Sequence, residues 1–370
     1  MTTKKNTAGN IGFCASWADG ITMSICISIW HQFRQTNIYR LLYLTSISYF
    51  NRQRFRADGI LFTNLHKALL VSGKLNSKLM TDIKVQFSSK KVITFLTLTF
   101  GITALFDISS ILLRVSGDAY IIFTTAFMWS PAIAVLLTKW IFKENIRTLN
   151  WKWPKKKYIF LSFAIPILYA FVTYLTIWTT GWGKFYNKSF VNEVAISYGI
   201  TSLSVGWIIF IFILMKGTIG IFKSCSNALG EEIGWRGYLV PQLFNKFGYI
   251  KTSLITGVIW SVWHYTSLIF GTYNNGTPVW YGLICFTLMI VSISFIFTWF
   301  TIKSGSLFPA MILHATHNLY IQRIFTPLTL GNNNTPWFID EFGAVLPLVT
   351  IIFAIYFISR RRELLVVDTN

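Results

Sequence analysis

The 370-residue chain is 53% hydrophobic, 17% aromatic and only 12% charged, about half the charged fraction of an ordinary soluble domain, roughly 25%, which excludes a water-soluble globule. Its net charge of +20 sits in short clusters between apolar blocks, a pattern that suits membrane topology and excludes nucleic acid as a partner. Cys14, Cys26, Cys225 and Cys285 are scattered with no C-x-x-C pair, so neither a zinc site nor a disulfide framework is written in them.

Residues 1–79 mix isolated basic residues, among them Arg34, Arg40, Arg52, Arg54 and Arg56, with short apolar runs such as ITMSICISIW. None is long enough to span a bilayer, and no small-residue cleavage site follows an apolar core. The region reads as an N-terminal extension of uncertain structure, dispensable to a multi-spanning unit over 80–370 that begins MTDIKVQFSSKK at Met80.

From Val92 onward, apolar segments recur at the roughly 20-residue length needed to cross about 30 Å of hydrocarbon. The expected fold is all-α and polytopic, with about eight transmembrane helices: Val92 to Arg114, Ala119 to Phe142, Tyr158 to Trp178, Val194 to Met215, Thr252 to Phe270, Val279 to Thr301, Ser306 to Gln322 and Phe342 to Ser359. The connection Lys143 to Lys157 holds six Lys and Arg residues, so it is expected on the cytoplasmic side of a cell membrane, taken as bacterial. Alternate threading then places Lys90, Lys91, Lys216, Lys223, Lys303, Arg360 to Arg362 and both termini there. GTYNNGTP and the loop with Asp340 and Glu341 fall opposite, with Lys184, Lys188 and Arg323 as exceptions. This threading makes Lys223 to Lys251 a motif helix lying in, or dipping into, the cytoplasmic half, with Ser226 or Asn227 as N-cap and Pro241 limiting its length.

Acids and imidazoles are expensive in a bilayer and mark function when they occur there. Of the 13 Asp and Glu residues, Asp107, Glu231 and Glu232 lie well inside apolar stretches, as do His264, His314 and His317. In GEEIGWRGYLVPQL, Glu232 and Arg236 are four apart and share a helix face, which predicts an ion pair. Glu231 then points about 100° away and is left for a different partner, as a general base requires; a place in the first turns would favour its carboxylate form. In WSVWHY, Trp260 and His264 are one turn apart, with His264 about 18 Å into its span. LFPAMILHATHNLY puts His314 and Asn318 on one face, about 12 Å in, and His317 at its edge.

Glu-Glu-x-x-x-Arg, aromatic-x-x-x-His and His-x-x-x-Asn, in that order on separate membrane helices, resemble the three motifs of the CAAX-protease and bacteriocin-immunity (CPBP, Abi-like) family of intramembrane proteases. The resemblance covers about residues 90 to 360. It departs at Trp260, where the family commonly has Phe, a change expected to alter pocket shape without removing a catalytic group. The resemblance implies that Glu231 and His264 activate a water, that His314 and Asn318 form the oxyanion hole, and that Glu232 and Arg236 support the helix. No cofactor is then required, and the substrate is a peptide or lipid-modified peptide met at the bilayer. The alternatives are a catalytic zinc held by Glu231, His264 and His314, although H-E-x-x-H is absent, and a non-enzymatic immunity or scaffold protein.

Overall fold

The computed structural model describes residues 87–365 apart from Thr272. The expected extension over 1–79 and its boundary lie outside the described residues.

Three apolar helices come first: α1 (Ser89–Leu112), α2 (Gly117–Ile141) and α3 (Lys156–Thr179). Glu144, just past α2, binds Lys91 at the start of α1 and Lys139 at 3.1 Å, tying the two helices at their basic end. Burial works against the Glu144 carboxylate, but hydrogen bonds from Lys91 and Lys139 outweigh it and hold the group below its usual range. After the short α4 (Lys188–Ser197) come α5 (Val205–Met215), α6 (Ile221–Glu232) and α7 (Val240–Trp263). Then follow α8 (Tyr265–Phe270), α9 (Val279–Ser304), α10 (Phe308–Asn318), α11 (Thr326–Leu328) and α12 (Val345–Ser359). One two-stranded antiparallel ribbon, β1 (Gly183–Phe185) with β2 (Thr329–Gly331), ties the end of α3 to the end of α11.

The protein is therefore an all-α, polytopic integral membrane protein. Among the described residues, five helical segments are long and apolar enough to cross a membrane, taking Val205–Phe270 as one. The innermost is α9, with 72% of its apolar window buried against 11–33% in the other four. The others turn one apolar face outward, as lipid contact allows.

The fourth expected span requires correction. The chain breaks over 198–204, where Gly199 has φ +66°, and α5 does not end at the lysines. It continues through a π turn at Lys216–Gly220 into α6, then through a second at Ile233–Leu239 into α7. Only at Gly248 (φ 70°) does this run turn, roughly 60 Å from its start at about 1.5 Å per residue. The motif segment is thus the continuation of a membrane-crossing helix and not a separate helix in the cytoplasmic half. Ser226 and Asn227 cap nothing, and Pro241 lies within the helical run. Glu231, far from any N-terminus, receives no help from a helix dipole.

Neighbouring helices give the run its direction. Along α2, Met128 and Trp129 meet Gly230, Pro131 meets Gly234, and Lys139 lies 5.7 Å from the Tyr238 ring, so α2 and the motif helix are parallel. Along α10, Leu307 meets Gly237, Ala315 O accepts from Ser224 Oγ at 2.8 Å, and the Tyr320 hydroxyl meets Gly217, so these two are antiparallel. Lys216 and Lys223 accordingly lie toward the Arg323 end, away from Lys143 to Lys157. The lysines misled because Gly217 and Gly220 let a helix continue past them against Tyr320 and Leu319.

Candidate active site

The motif helix reaches its neighbours through two glycines. A Cβ at Gly230 would come within 2.8 Å of Trp129 Cα, and one at Gly234 within 2.4 Å of Pro131 Cβ, so only hydrogen allows this approach to α2. The carboxylates carried between them are sealed: Glu231 is 1% exposed and Glu232 0%.

Glu232 Oε1 accepts from Arg236 Nη1 at 2.9 Å and from His314 Nδ1 at 2.9 Å. The guanidinium of Arg236 lies 4.2 Å from the Trp260 ring and 4.5 Å from the Phe297 ring, a cation held between two π faces. Because Nδ1 of His314 donates to a carboxylate, Nε2 is left over. It lies 4.0 Å from Glu231 Oε1. The other oxygen of Glu231, Oε2, accepts from Trp260 Nε1 at 2.8 Å. Trp260 therefore does more than shape a pocket, since a Phe has no donor to offer.

His264 stands at the junction of α7 and α8, ringed by Phe127, Trp263, Tyr273 and Phe286. Its Nδ1 lies 3.0 Å from the Trp260 carbonyl, so Nδ1 carries the proton and Nε2 the lone pair. The structure does not join His264 directly to Glu231; Trp260 links them, indole on the carboxylate and carbonyl on the imidazole. Asn318, one turn beyond His314, is half-buried at the end of α10 and makes no hydrogen bond among the described residues.

A catalytic zinc would need three of these groups to bring donor atoms within about 2.0–2.2 Å of one point. Among the described residues no three His, Cys, Asp or Glu side chains gather in this way, and Trp260 already occupies Glu231 Oε2. In this arrangement Glu231, His264 and His314 do not converge on one point.

A second buried polar cluster was not foreseen. Glu341, 3% exposed, accepts from His317 Nε2 at 2.9 Å, from Gln322 Nε2 at 3.0 Å and from the Tyr273 hydroxyl. Tyr169 OH completes the chain at 2.7 Å from His317 Nδ1. Burial acts against the Glu341 carboxylate, but the hydrogen bond and charge of His317, with hydrogen bonds from Tyr273 and Gln322, hold it below its usual range. In the sequence Glu341 looks like a loop acid. The one available signal is its place directly before an apolar span, after Asp340, which turns the chain at φ 64°.

Comparison with known protein families matches residues 204–320 to the one described as Type II CAAX prenyl endopeptidase Rce1-like. The match contains Glu231, Glu232, Arg236, Trp260, His264, His314 and Asn318. Residues 204–320 are thus similar to the Rce1-like family. This agrees with the family to which the three motifs point. The curated protein CAAX prenyl protease 2 of Methanococcus maripaludis is 36% identical over 107 residues, covering 27% of this chain and 38% of that protein. The chain thus spans well under half the length of the curated relative it matches. Tyr169 and Glu341 lie outside the Rce1-like segment.

Proposed function

We propose that the chain is an intramembrane endopeptidase that hydrolyses a peptide bond with an activated water, and that Glu231, His264, His314 and Asn318 carry the reaction. One observation supports this above the others. Glu231 is buried yet kept off Arg236, with one oxygen on Trp260 and the other 4.0 Å from His314 Nε2. Two buried acids serving structure alone would both pair with the arginine.

In this reading Glu231 Oε1 takes a proton from water while the oxygen attacks the scissile carbonyl carbon, and the lone pair on His264 Nε2 orients that water. The carbonyl oxygen becomes an oxyanion. His314, as an imidazolium anchored through Nδ1 to Glu232, donates from Nε2, and Asn318 supplies a second donor. Each such donor is worth about 3 kcal/mol in a dry site. The C–N bond then breaks, and the proton held by Glu231 passes to the leaving amine. No metal takes part.

The substrate we assign is a peptide or lipid-modified peptide tail reaching the site from the bilayer, in keeping with the name of the relative. We orient the Lys143 to Lys157 end toward the cytoplasm of a bacterial cell, with both chain termini on that side. The test is incubation of the purified protein in nanodiscs with a library of free and prenylated peptides, products being mapped by mass spectrometry. Cleavage that survives a chelator and disappears in Glu231→Gln is the expected result. Loss of cleavage on chelation with recovery on adding zinc overturns the metal-free mechanism, and an uncut library overturns the endopeptidase.

A further inference from the structure

Asp107 is the third acid placed within an apolar stretch, and the reaction above does not use it. It belongs to α1, outside the Rce1-like segment, and is 8% exposed. Its Oδ1 accepts from Ser267 Oγ at 2.7 Å. One helical turn earlier on α1, Thr103 Oγ1 accepts from Trp263 Nε1 at 2.7 Å. Thr103 and Asp107 are four residues apart, as are Trp263 and Ser267, so the two hydrogen bonds form successive rungs between α1 and the α7–α8 segment.

The rungs fall on either side of one residue. His264 ends α7 and precedes α8; its φ −86° and ψ −10° are still right-handed helical, but its N–H donates to Ser261 O at 3.1 Å, only three residues back, which interrupts the regular helix. The Trp263 rung grips the chain just before this break and the Ser267 rung just after it. On the near side the grip is doubled, because Phe127 of α2 stacks on Trp263 at 4.2 Å and Ser130 of α2 hydrogen-bonds Thr103. Beyond the break α8 has only six residues, too short to hold itself as a helix without outside contacts. The Asp107 carboxyl is costly where it stands: Oδ2 is buried with no partner among the described residues, a penalty that simple apolar packing would avoid.

We propose that Asp107 is a positioning residue for His264: through Ser267 it fixes the far side of the helix break on which the imidazole is carried. The role rests on the reading of His264 as a member of the reaction, but the hydrogen bond can be tested without turnover.

The experiment uses the full chain in detergent and four proteins: wild type, Ser267→Ala, Asp107→Leu and the conservative Asp107→Asn, which keeps an acceptor at Oδ1. Amide hydrogen exchange over 264–270 and the rate of His264 modification by diethyl pyrocarbonate are both followed by mass spectrometry. In Ser267→Ala and Asp107→Leu, exchange is expected to rise about tenfold and His264 modification to change at least threefold, with Asp107→Asn close to wild type on both. The double variant Asp107→Leu/Ser267→Ala should be no worse than either single one, since both remove the same bond. On a cleaved peptide, kcat should fall about tenfold with KM within twofold, and Asp107→Asn should restore it. Unchanged exchange and modification in Ser267→Ala overturns the proposal, and that variant keeps it testable if Asp107→Leu fails to fold. Additive losses overturn it as well, as does altered exchange with unchanged kcat. An inactive wild type whose His264 modification still responds as described refutes the peptidase reading and leaves the positioning role standing.

Discussion

Replacing each glutamate of the pair by glutamine should separate chemistry from structure. In Glu231→Gln the side-chain oxygen can still accept from the Trp260 indole, which now stands at 2.8 Å, so little stability is lost. The proposed base is gone, however, and turnover should fall by about a thousandfold or more, within the range general-base removal causes. Glu232→Gln and Arg236→Leu act differently, because Arg236 is 0% exposed and Glu232 carries its only ion pair among the described residues. Stranding one member of such a pair costs about 3 to 5 kcal/mol. With an unfolding entropy near 2.1 cal/mol/K per residue over roughly 280 residues, about 0.6 kcal/mol per degree, that is a fall in Tm of ~5 to 9 °C. The double variant should lose less than the sum, since no charge is then left alone. Melting followed by tryptophan fluorescence, beside cleavage of a prenylated peptide, measures both quantities. Glu231→Gln with wild-type turnover, or Glu232→Gln inactive at an unchanged Tm, would refute this division of labour.

Trp260→Phe keeps an aromatic ring but deletes the donor to Glu231; a hydrogen bond to a charged group is worth about 1.5 to 3 kcal/mol, so kcat should drop roughly 10- to 150-fold, and an unchanged kcat would return Trp260 to a purely steric role. Glu144 is held below the usual carboxylate range in the folded protein by Lys91 and Lys139, so its contribution is fully present above the unfolded value and is lost as pH falls through the folded one. The Tm gap between wild type and Glu144→Gln should therefore be full at pH 7 and shrink as acid titrates the folded carboxylate, below the usual carboxylate range; a constant gap would show that charge plays no part. Cysteines introduced at Ser202 and Lys246 should react with an impermeant maleimide from opposite faces of a sealed vesicle, because one continuous helix separates them. Labelling from the same face would restore the in-plane motif helix.

What could be read in advance was local. Glu232 and Arg236 pair because four residues make one turn, and that arithmetic needs no tertiary knowledge. The convergence of the Glu-Glu, Trp and His motifs was legible from their chemistry, since ionisable groups in hydrocarbon must find one another. The continuity of 205–247 was not. Lysines normally mark a helix end at a bilayer surface, and only the packing of Gly217 and Gly220 against α10 shows that the helix runs on. Glu341 was hidden for a related reason: its partners Gln322, His317 and Tyr273 are 19, 24 and 68 residues away, and only the return of the 329–344 connection into the bundle joins them. Asn318 shares a helix face with His314 by spacing, yet it pairs with nothing described, a state that spacing does not reveal.

The contact of Gly230 and Gly234 with α2 also bears on how the site could be blocked. Backbone meets backbone there, leaving no seam into which an acyl chain, a substrate side chain or an apolar inhibitor could wedge behind the two glutamates. Compounds aimed at Glu231 must approach past side chains, not past main chain, which leaves Trp260, His264 and His314 as the surfaces whose shape can be matched. A single methyl added at residue 230 or 234 would push on α2 as a whole. Variation in selectivity between proteins built on this plan is therefore expected on the Trp260 and His314 side, while the glycine side admits almost none.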